Sequence, residues 1–356
     1  MLLVVAGFAA RAPGADAGPG ALNVAQPCAV RDGLRFICGP VGSEDLVQVP
    51  GTQWLIASGL NLGRPAHLYL LNAHSKEAFV LFPVAGAQPA RLRHSGYGCA
   101  GPPDLAQLSM DGIGLRTGAD GRHTLYVANH GGRFSVEMFA VDASRARPRI
   151  AWQDCAPLPA GTLPNAVASL ADGGFLVTSF YDPRDASAWE RMARGEVTGR
   201  ILRWETGSGF RTLPGSEMSG ANGLATSRDG RWVYASAWSA RKLIVMPVTG
   251  GSRREIPLDF MPDNIHALED GALLVGGQRT AVEAIARCGS APCPQPWTIA
   301  RVDVRTSAVQ PLISRSGGPE VNYACGGVEL GGAIFFTARG TYSIAYAALR
   351  DLPSLH

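Results

Sequence analysis

A chain of 356 residues can hold two ordinary domains or a single large all-β ring, so length alone excludes neither. Its 44 glycines and 25 prolines, set against only 17% charged residues, argue against a helical protein and for many short strands joined by tight turns. The formal charge is +3, the basic residues are dispersed, and no basic run is interleaved with aromatics, which excludes a nucleic-acid face.

The chain opens on MLLVVAGFAA, which is apolar but far shorter than the roughly 20 residues a membrane-spanning helix needs. Small residues and the triplet Ala15-Asp16-Ala17 follow, the pattern of a secretory signal cleaved after Ala17, although a basic leading segment is missing. Residues 1–25 are therefore expected to be a signal peptide or apolar N-terminal segment, and residues 26–356 a single domain with no stable transmembrane span. Seven cysteines support export. Cys28 and Cys38 are close in sequence, Cys99 and Cys155 both sit in Pro-rich loops, and Cys288 and Cys293 bracket Gly-Ser-Ala-Pro. Three local disulfides can be drawn with Cys325 left over, as suits a secreted or periplasmic protein. No CxxC pair occurs and no His lies at zinc-ligand spacing from a cysteine, so these cysteines do not read as a zinc site.

Beyond Cys38, six short turns recur, each ahead of a β-rich segment: Ser43-Glu44-Asp45, Met110-Asp111-Gly112, Pro164-Asn165-Ala166, Ala221-Asn222-Gly223, Pro262-Asp263-Asn264 and Ala324-Cys325-Gly326. Their spacing, about 41 to about 67 residues, is that of propeller blades with loop insertions. AVASLADGGFLVTSF, GLATSRDGRWVYASAW and IHALEDGALLVGG each carry Asp-Gly between two β-rich runs, the strongest short-range hairpin signal. Only residues 186–194 suggest a helix, a short one within a loop. The expected fold is all-β, a six-bladed β-propeller with a metal on its central axis.

In a propeller the innermost strand of each blade begins near the central channel, so these turns converge. They bring Glu44, Asp111, Asn165, Asn222, Asp263 and Asn264, all oxygen donors, and only the sixth blade brings none. Ca²⁺ takes six to eight oxygen ligands at flexible angles. Glu44, Asn165, Asn222, Asp263 and Asn264 suit it: two carboxylates balance a dication, three amides add no charge, and a position stays open for water or a substrate carbonyl. Asn, Asp and Gly are also the commonest turn residues and bond their own backbone, but six in phase favour an ion.

GSEDLVQVPGTQWLIASG, NHGGRFSVEMF, LPNAVASL, ANGLATSRDGRWVYASAW and MPDNIHALEDGALLVGG resemble, in order and spacing, stretches of the paraoxonases, six-bladed lactonase/arylesterases related to gluconolactonase and senescence marker protein. The resemblance covers residues 40–345. It implies that Glu44, Asn165, Asn222, Asp263 and Asn264 bind a catalytic calcium, in agreement with the reading of the turns. It also implies a second, structural calcium on Asp45, the carbonyl of Ile113 and position 166, but Ala166 stands where the pattern calls for Asp. Of the family's two-histidine proton relay, the second falls on His130 and the first on Asp111. An Asp beside Ca²⁺ is either a weaker base than His or a further ligand. The family's disulfide joining the chain ends has no counterpart, because TYSIAYAAL lacks Cys.

The implied activity is calcium-dependent hydrolysis of a lactone or related ester, with Asp111 and His130 as catalytic residues and a small molecule as the only partner. Phe180, Tyr181, Trp189, Trp238 and Trp297 are candidates for a pocket wall. The competing reading is a non-hydrolytic propeller, either a periplasmic ligand-binding protein or a strictosidine-synthase-like condensing enzyme, which needs a committed acid rather than a metal cage.

Overall fold

Each β-rich segment folds as a four-stranded antiparallel sheet, and six such sheets make up a β-propeller in the computed structural model, which describes residues 28, 30, 31, 33–84, 98–288 and 293–352. The expected signal segment and the Gly-Ser-Ala-Pro turn lie outside the described residues. The innermost strands of blades 1 to 6 are Ser43–Gln48, Met110–Arg116, Pro164–Ser169, Ala221–Thr226, Met261–Ala267 and Ala324–Leu330. Blades 1 to 5 each use four consecutive strands. Blade 6 takes three and borrows its outermost from the other end of the chain: Arg35–Cys38 runs antiparallel to Ser343–Ala348, with Arg35 opposite Tyr346 and Cys38 opposite Ser343. The ring is thus closed by backbone hydrogen bonds as well as by side-chain packing.

Alternation along the strands explains why these segments are apolar on both faces. In blade 1, Val47, Ile56 and Leu70 pack with Ile113, Val127 and Phe139 of blade 2, whereas Leu46, Leu55 and Leu71 pack with Phe335 and Ile344 of blade 6. Six such clusters of buried side chains fill the six gaps between neighbouring blades. Every blade therefore depends on both neighbours, and the core is a ring rather than a centre.

The Asp-Gly hairpins form as the sequence predicts, and the Asp side chains show why. Asp172, Asp229 and Asp270 each accept the N–H two residues on through Oδ1, at 2.9, 3.1 and 2.9 Å, while Gly173, Gly230 and Gly271 take up the positive φ that the turn requires. Helix α1 (Ala188–Ala193) falls inside the expected segment. A second short helix, α2 (Val282–Ala286), was not legible: five residues are too few to show a period, and it is held by burial of Val282 and Ile285.

Cys28–Cys38, Cys99–Cys155 and Cys288–Cys293 are disulfide-bonded, and Cys325 is free and buried. Among the described residues no helix is long and apolar enough to cross a membrane. Cys99 and Cys155 are 56 positions apart and Cys288 and Cys293 only 5, so chain entropy assigns the first bond about 4 kcal/mol and the second about 2. Replacing Cys99 and Cys155 together by Ser should lower the urea midpoint more than replacing Cys288 and Cys293, and an equal or reversed order would contradict this account. Titration of denatured, unreduced protein should find one thiol per chain.

Candidate metal centre

The triplets that read as turns ahead of strands are the opening residues of the innermost strands themselves, and in all six blades they contain a β-bulge. Pairing to the second strand breaks after Ser43, Met110, Pro164, Ala221, Pro262 and Ala324 and resumes three residues later, so two residues stand against one. Bulges and turns share a composition because both leave the ladder, which is why sequence patterning alone confuses them. The first bulged positions are Glu44, Asp111, Asn165, Asn222, Asp263 and Cys325; the second are Asp45, Gly112, Ala166, Gly223, Asn264 and Gly326.

Hydroxyls opposite the bulges of blades 3, 4 and 6 peg each of these blades to the next. Thr178 Oγ1 donates to the Asn222 carbonyl (2.7 Å), Ser236 Oγ to the Asp263 carbonyl (2.6 Å) and Thr337 Oγ1 to the Glu44 carbonyl (2.5 Å). The backbones pack so closely that a Cβ at Gly112 or Gly223 would stand 2.6 or 2.1 Å from the carbonyl of Asn165 or Asp263. These contacts fix where the bulged side chains can go.

Glu44, Asp111, Asn165, Asn222, Asp263 and Asn264 are all buried. Asn264 Nδ2 donates to both Glu44 carboxylate oxygens (3.0 and 3.1 Å). Gln278 Nε2 donates to Asp263 Oδ2 (2.7 Å), and Gln278 Oε1 in turn accepts the indole N–H of Trp238 (2.8 Å). Donor atoms of Glu44, Asp263 and Cys325 lie within 4.8 Å of one another. Four buried oxygens on this axis, Asp111 Oδ1, Asn165 Oδ1, Asn222 Oδ1 and Asn264 Oδ1, have no hydrogen-bond partner. Buried acceptors left unsatisfied are uncommon and call for an explanation.

The charges are equally unbalanced. Burial, with Asp111 and Asp263 nearby, pushes the Glu44 carboxyl well above its usual range. Burial also pushes Asp263 up to about 7, against the opposing hydrogen bond from Gln278. Acceptors without donors beside carboxylates that resist ionisation are what an oxygen-seeking divalent cation would satisfy together. All five expected ligands converge, and Asp111 with them.

His130 meets Asp111 at 2.9 Å through Nε2, and the same nitrogen contacts the Pro164 carbonyl. One N–H shared between two oxygen acceptors puts the proton on Nε2 and leaves Nδ1 outside both contacts. Burial pushes Asp111 up and His130 down, but their mutual attraction reverses both shifts: Asp111 ends below, and His130 above, its ordinary value.

One residue further along the strands, Asp45 is saturated by donors. Leu46 N–H reaches Oδ1 (2.8 Å), Ile113 N–H reaches Oδ2 (3.0 Å), and His266 Nε2 lies 2.8 Å from Oδ1. Ile113 thus turns its N–H to Asp45, and Ala166 brings no side-chain oxygen. Phe180, Tyr181, Trp189 and Trp238 form one aromatic cluster, with ring centroids 5.5–6.3 Å apart. Trp297 is not part of it but packs on Phe336 in the blade 5–6 gap.

Sequence reasoning missed Gln278, His266 and Cys325. Gln278 is a lone amide ending the apolar strand LLVGGQ, a signal that could have been read. Cys325 belongs to the sixth triplet, but a sulfur carries no signal for an oxygen-seeking ion. His266 has no signal of its own, since its partner is 221 positions away.

No protein-family model and no curated protein matches the chain. Solved structures do. A gluconolactonase from Xanthomonas campestris is similar over 95% of this chain and 99% of its own, at 16% identity and a TM-score of 0.52. A luciferin-regenerating enzyme is similar over 90% of this chain and 97% of its own, at 12% and 0.54. Regucalcin, a calcium-binding protein from Agrobacterium tumefaciens, is similar over 86% of this chain and 90% of its own, at 11% and 0.51. At these identities the likeness is one of fold.

The two raised carboxyls, Glu44 and Asp263, make stability depend on pH. Between about pH 4, where the unfolded chain loses these protons, and about pH 7, the folded metal-free protein keeps protons that the unfolded chain has released. Their contribution therefore weakens as pH rises through this window. In chelator, wild type should lose melting temperature relative to Asp263→Asn between pH 5 and pH 8, and added Ca²⁺ should restore wild type at pH 8 but not at pH 5. A wild-type advantage that grows with pH in chelator would refute the crowded-carboxylate picture.

Proposed function

We propose that this protein is a hydrolase of lactones or related carboxylic esters that works with one calcium ion on the propeller axis. The observation that carries the reading is the set of four unpartnered buried oxygens around two crowded carboxylates. Glu44, Asn165, Asn222, Asp263 and Asn264 would hold the ion, with Asp111 Oδ1 turned to the same space. One ion is proposed rather than two, since Asp45 already has its donors. The gluconolactonase and the calcium-binding propeller among the similar folds support the reaction class and the ion.

When bound, the cation supplies Lewis acidity at the ester carbonyl and offsets the charge of the oxyanion. The remaining work belongs to side chains. Asp111 and the Pro164 carbonyl hold the His130 ring by its Nε2 proton, so Nδ1 is the nitrogen that can take a proton from the attacking water. As the water oxygen bonds to the carbonyl carbon and the alkoxy C–O bond breaks, the same proton passes to the leaving oxygen. Asp111 is then the orienting carboxylate beside the paraoxonase-like His130, with no need to be the base itself. The Phe180, Tyr181, Trp189 and Trp238 cluster offers an apolar wall for the rest of the substrate. Export to a periplasmic or extracellular space is supported by the three disulfides.

Asp263→Ala should lose metal content and esterase activity together, measured by metal analysis and a panel of small lactones and aryl esters. His130→Gln should keep the ion and the apparent substrate affinity while turnover falls by about 10²-fold or more. Wild-type rate should rise with pH through a pKa above about 6.5, because His130 must lose its extra proton to act as a base and Asp111 holds that proton on. Asp111→Asn removes this hold, so the limb should move to lower pH; a limb that stays put would remove His130 from the mechanism. Full esterase activity after complete chelation would overturn the metal-dependent reading, whereas no hydrolysis of any ester by the calcium-loaded protein would favour the non-hydrolytic alternatives.

A further inference from the structure

The sixth blade places a sulfur where the other five place oxygen or amide. Cys325 occupies the same bulged position as Glu44, Asp111, Asn165, Asn222 and Asp263, is 1% exposed, and its Sγ stands within 4.8 Å of carboxylate oxygens of both Glu44 and Asp263. The adjacent residue is Gly326, where an added Cβ would meet Asn264 Cβ at 2.6 Å, so the backbone of blade 6 is pressed against the donor set. Among the seven cysteines it alone is not in a disulfide. Two neighbouring acceptors, Asn222 Oδ1 and Asn264 Oδ1, are buried and unpartnered, which independently marks this space as one that takes a ligand.

We infer that Cys325 gives the axis a second cation-binding mode, in which Glu44, Asp263 and the Cys325 sulfur take a thiophilic divalent ion such as Cd²⁺ or Zn²⁺ in competition with calcium. This rests on the axis being a cation site, as proposed above. Calcium, a hard ion, is satisfied by the oxygen donors and gains little from sulfur, whereas soft and borderline ions favour thiolate. A tetrahedral site built on Zn–S of about 2.3 Å and Zn–O of about 2.0 Å has donor separations near 3.5 Å, so Zn²⁺ requires the trio to contract and the larger Cd²⁺ requires less. Binding breaks the S–H bond, forms the metal–sulfur bond and releases the proton to solvent. Burial and the neighbouring Asp263 and Glu44 carboxylates push the thiol well above its ordinary value, so its proton leaves only as the cation takes its place. The consequence is a lactonase-like site that calcium activates and traces of softer metals occupy.

The test uses the full folded protein, freed of metal by chelator and then titrated separately with Ca²⁺ and Cd²⁺. Calorimetry should give one Cd²⁺ per chain, displaced by calcium, and ultraviolet difference spectra should show the thiolate-to-cadmium charge-transfer band. With six cysteines in disulfides, that band can come only from Cys325, so wild type alone decides the point. Cys325→Ser should abolish the band and weaken Cd²⁺ by about two orders of magnitude, while Ca²⁺ affinity changes by less than about threefold. Competitive binding of Ca²⁺ and Cd²⁺ without the band would overturn the sulfur mode and leave the calcium reading standing. Failure to bind either ion would overturn both.

Discussion

The bulge at the start of every innermost strand is the constraint on which the rest of the molecule depends. It forces two residues per blade out of the ladder at the point where six sheets come closest, and ring closure leaves several of their buried oxygens without a donor. Ordinary side chains would be packed out by the backbones, as the contacts at Gly112 and Gly223 show. Apart from the Cys325 thiol, the side chains that do occupy the axis are acids and amides whose oxygens exceed the available donors. The scaffold thus holds a donor set that is costly while empty of cations and favourable when one is bound.

The framework around that axis is graded. Nearest to it, the Thr178, Ser236 and Thr337 hydroxyls join successive bulges, so a displaced ligand would strain the neighbouring blade. Farther out, alternating apolar side chains lock each sheet between two others. Asp45 and His266 link blades 1 and 5 just past the first bulged positions through a hydrogen-bonded pair.

Most of this fold is legible in the sequence because its signals are local. Asp-Gly hairpins, the Cys288–Cys293 pair and the polar triplets each lie within a few residues, and the blade count follows from the six triplets. What resists reading is whatever depends on chain segments far apart. The His266–Asp45 pair and the bonds that Gln278 makes to Trp238 and Asp263 are set by which strand ends meet, whereas Cys325 is in phase with the other triplets and is hidden only by offering sulfur where the pattern asks for oxygen. The triplets also misled in one respect: as residues outside the ladder they carry turn composition, although they are strand residues. The aromatic group divides for the same reason, since four of the five cluster and Trp297 faces a blade gap instead.

The strand Arg35–Cys38 sets an order of assembly. Cys38 and its partner Ser343 are about 300 positions apart, so the loop that must close to seat this strand is nearly the whole described chain, whereas each of blades 1 to 5 can form from contiguous sequence. During synthesis the arm must wait for the last blade to be made, with its hydrogen-bonding groups open to other chains meanwhile. The Cys28–Cys38 bond and the Arg31–Leu34 bridge shape this waiting arm by contacts within itself, so it can dock as a prepared unit rather than as a loose strand. Oxidation is then a step in building the ring as well as a tie that holds it, and a chain kept reduced meets the final closure with a floppier latch.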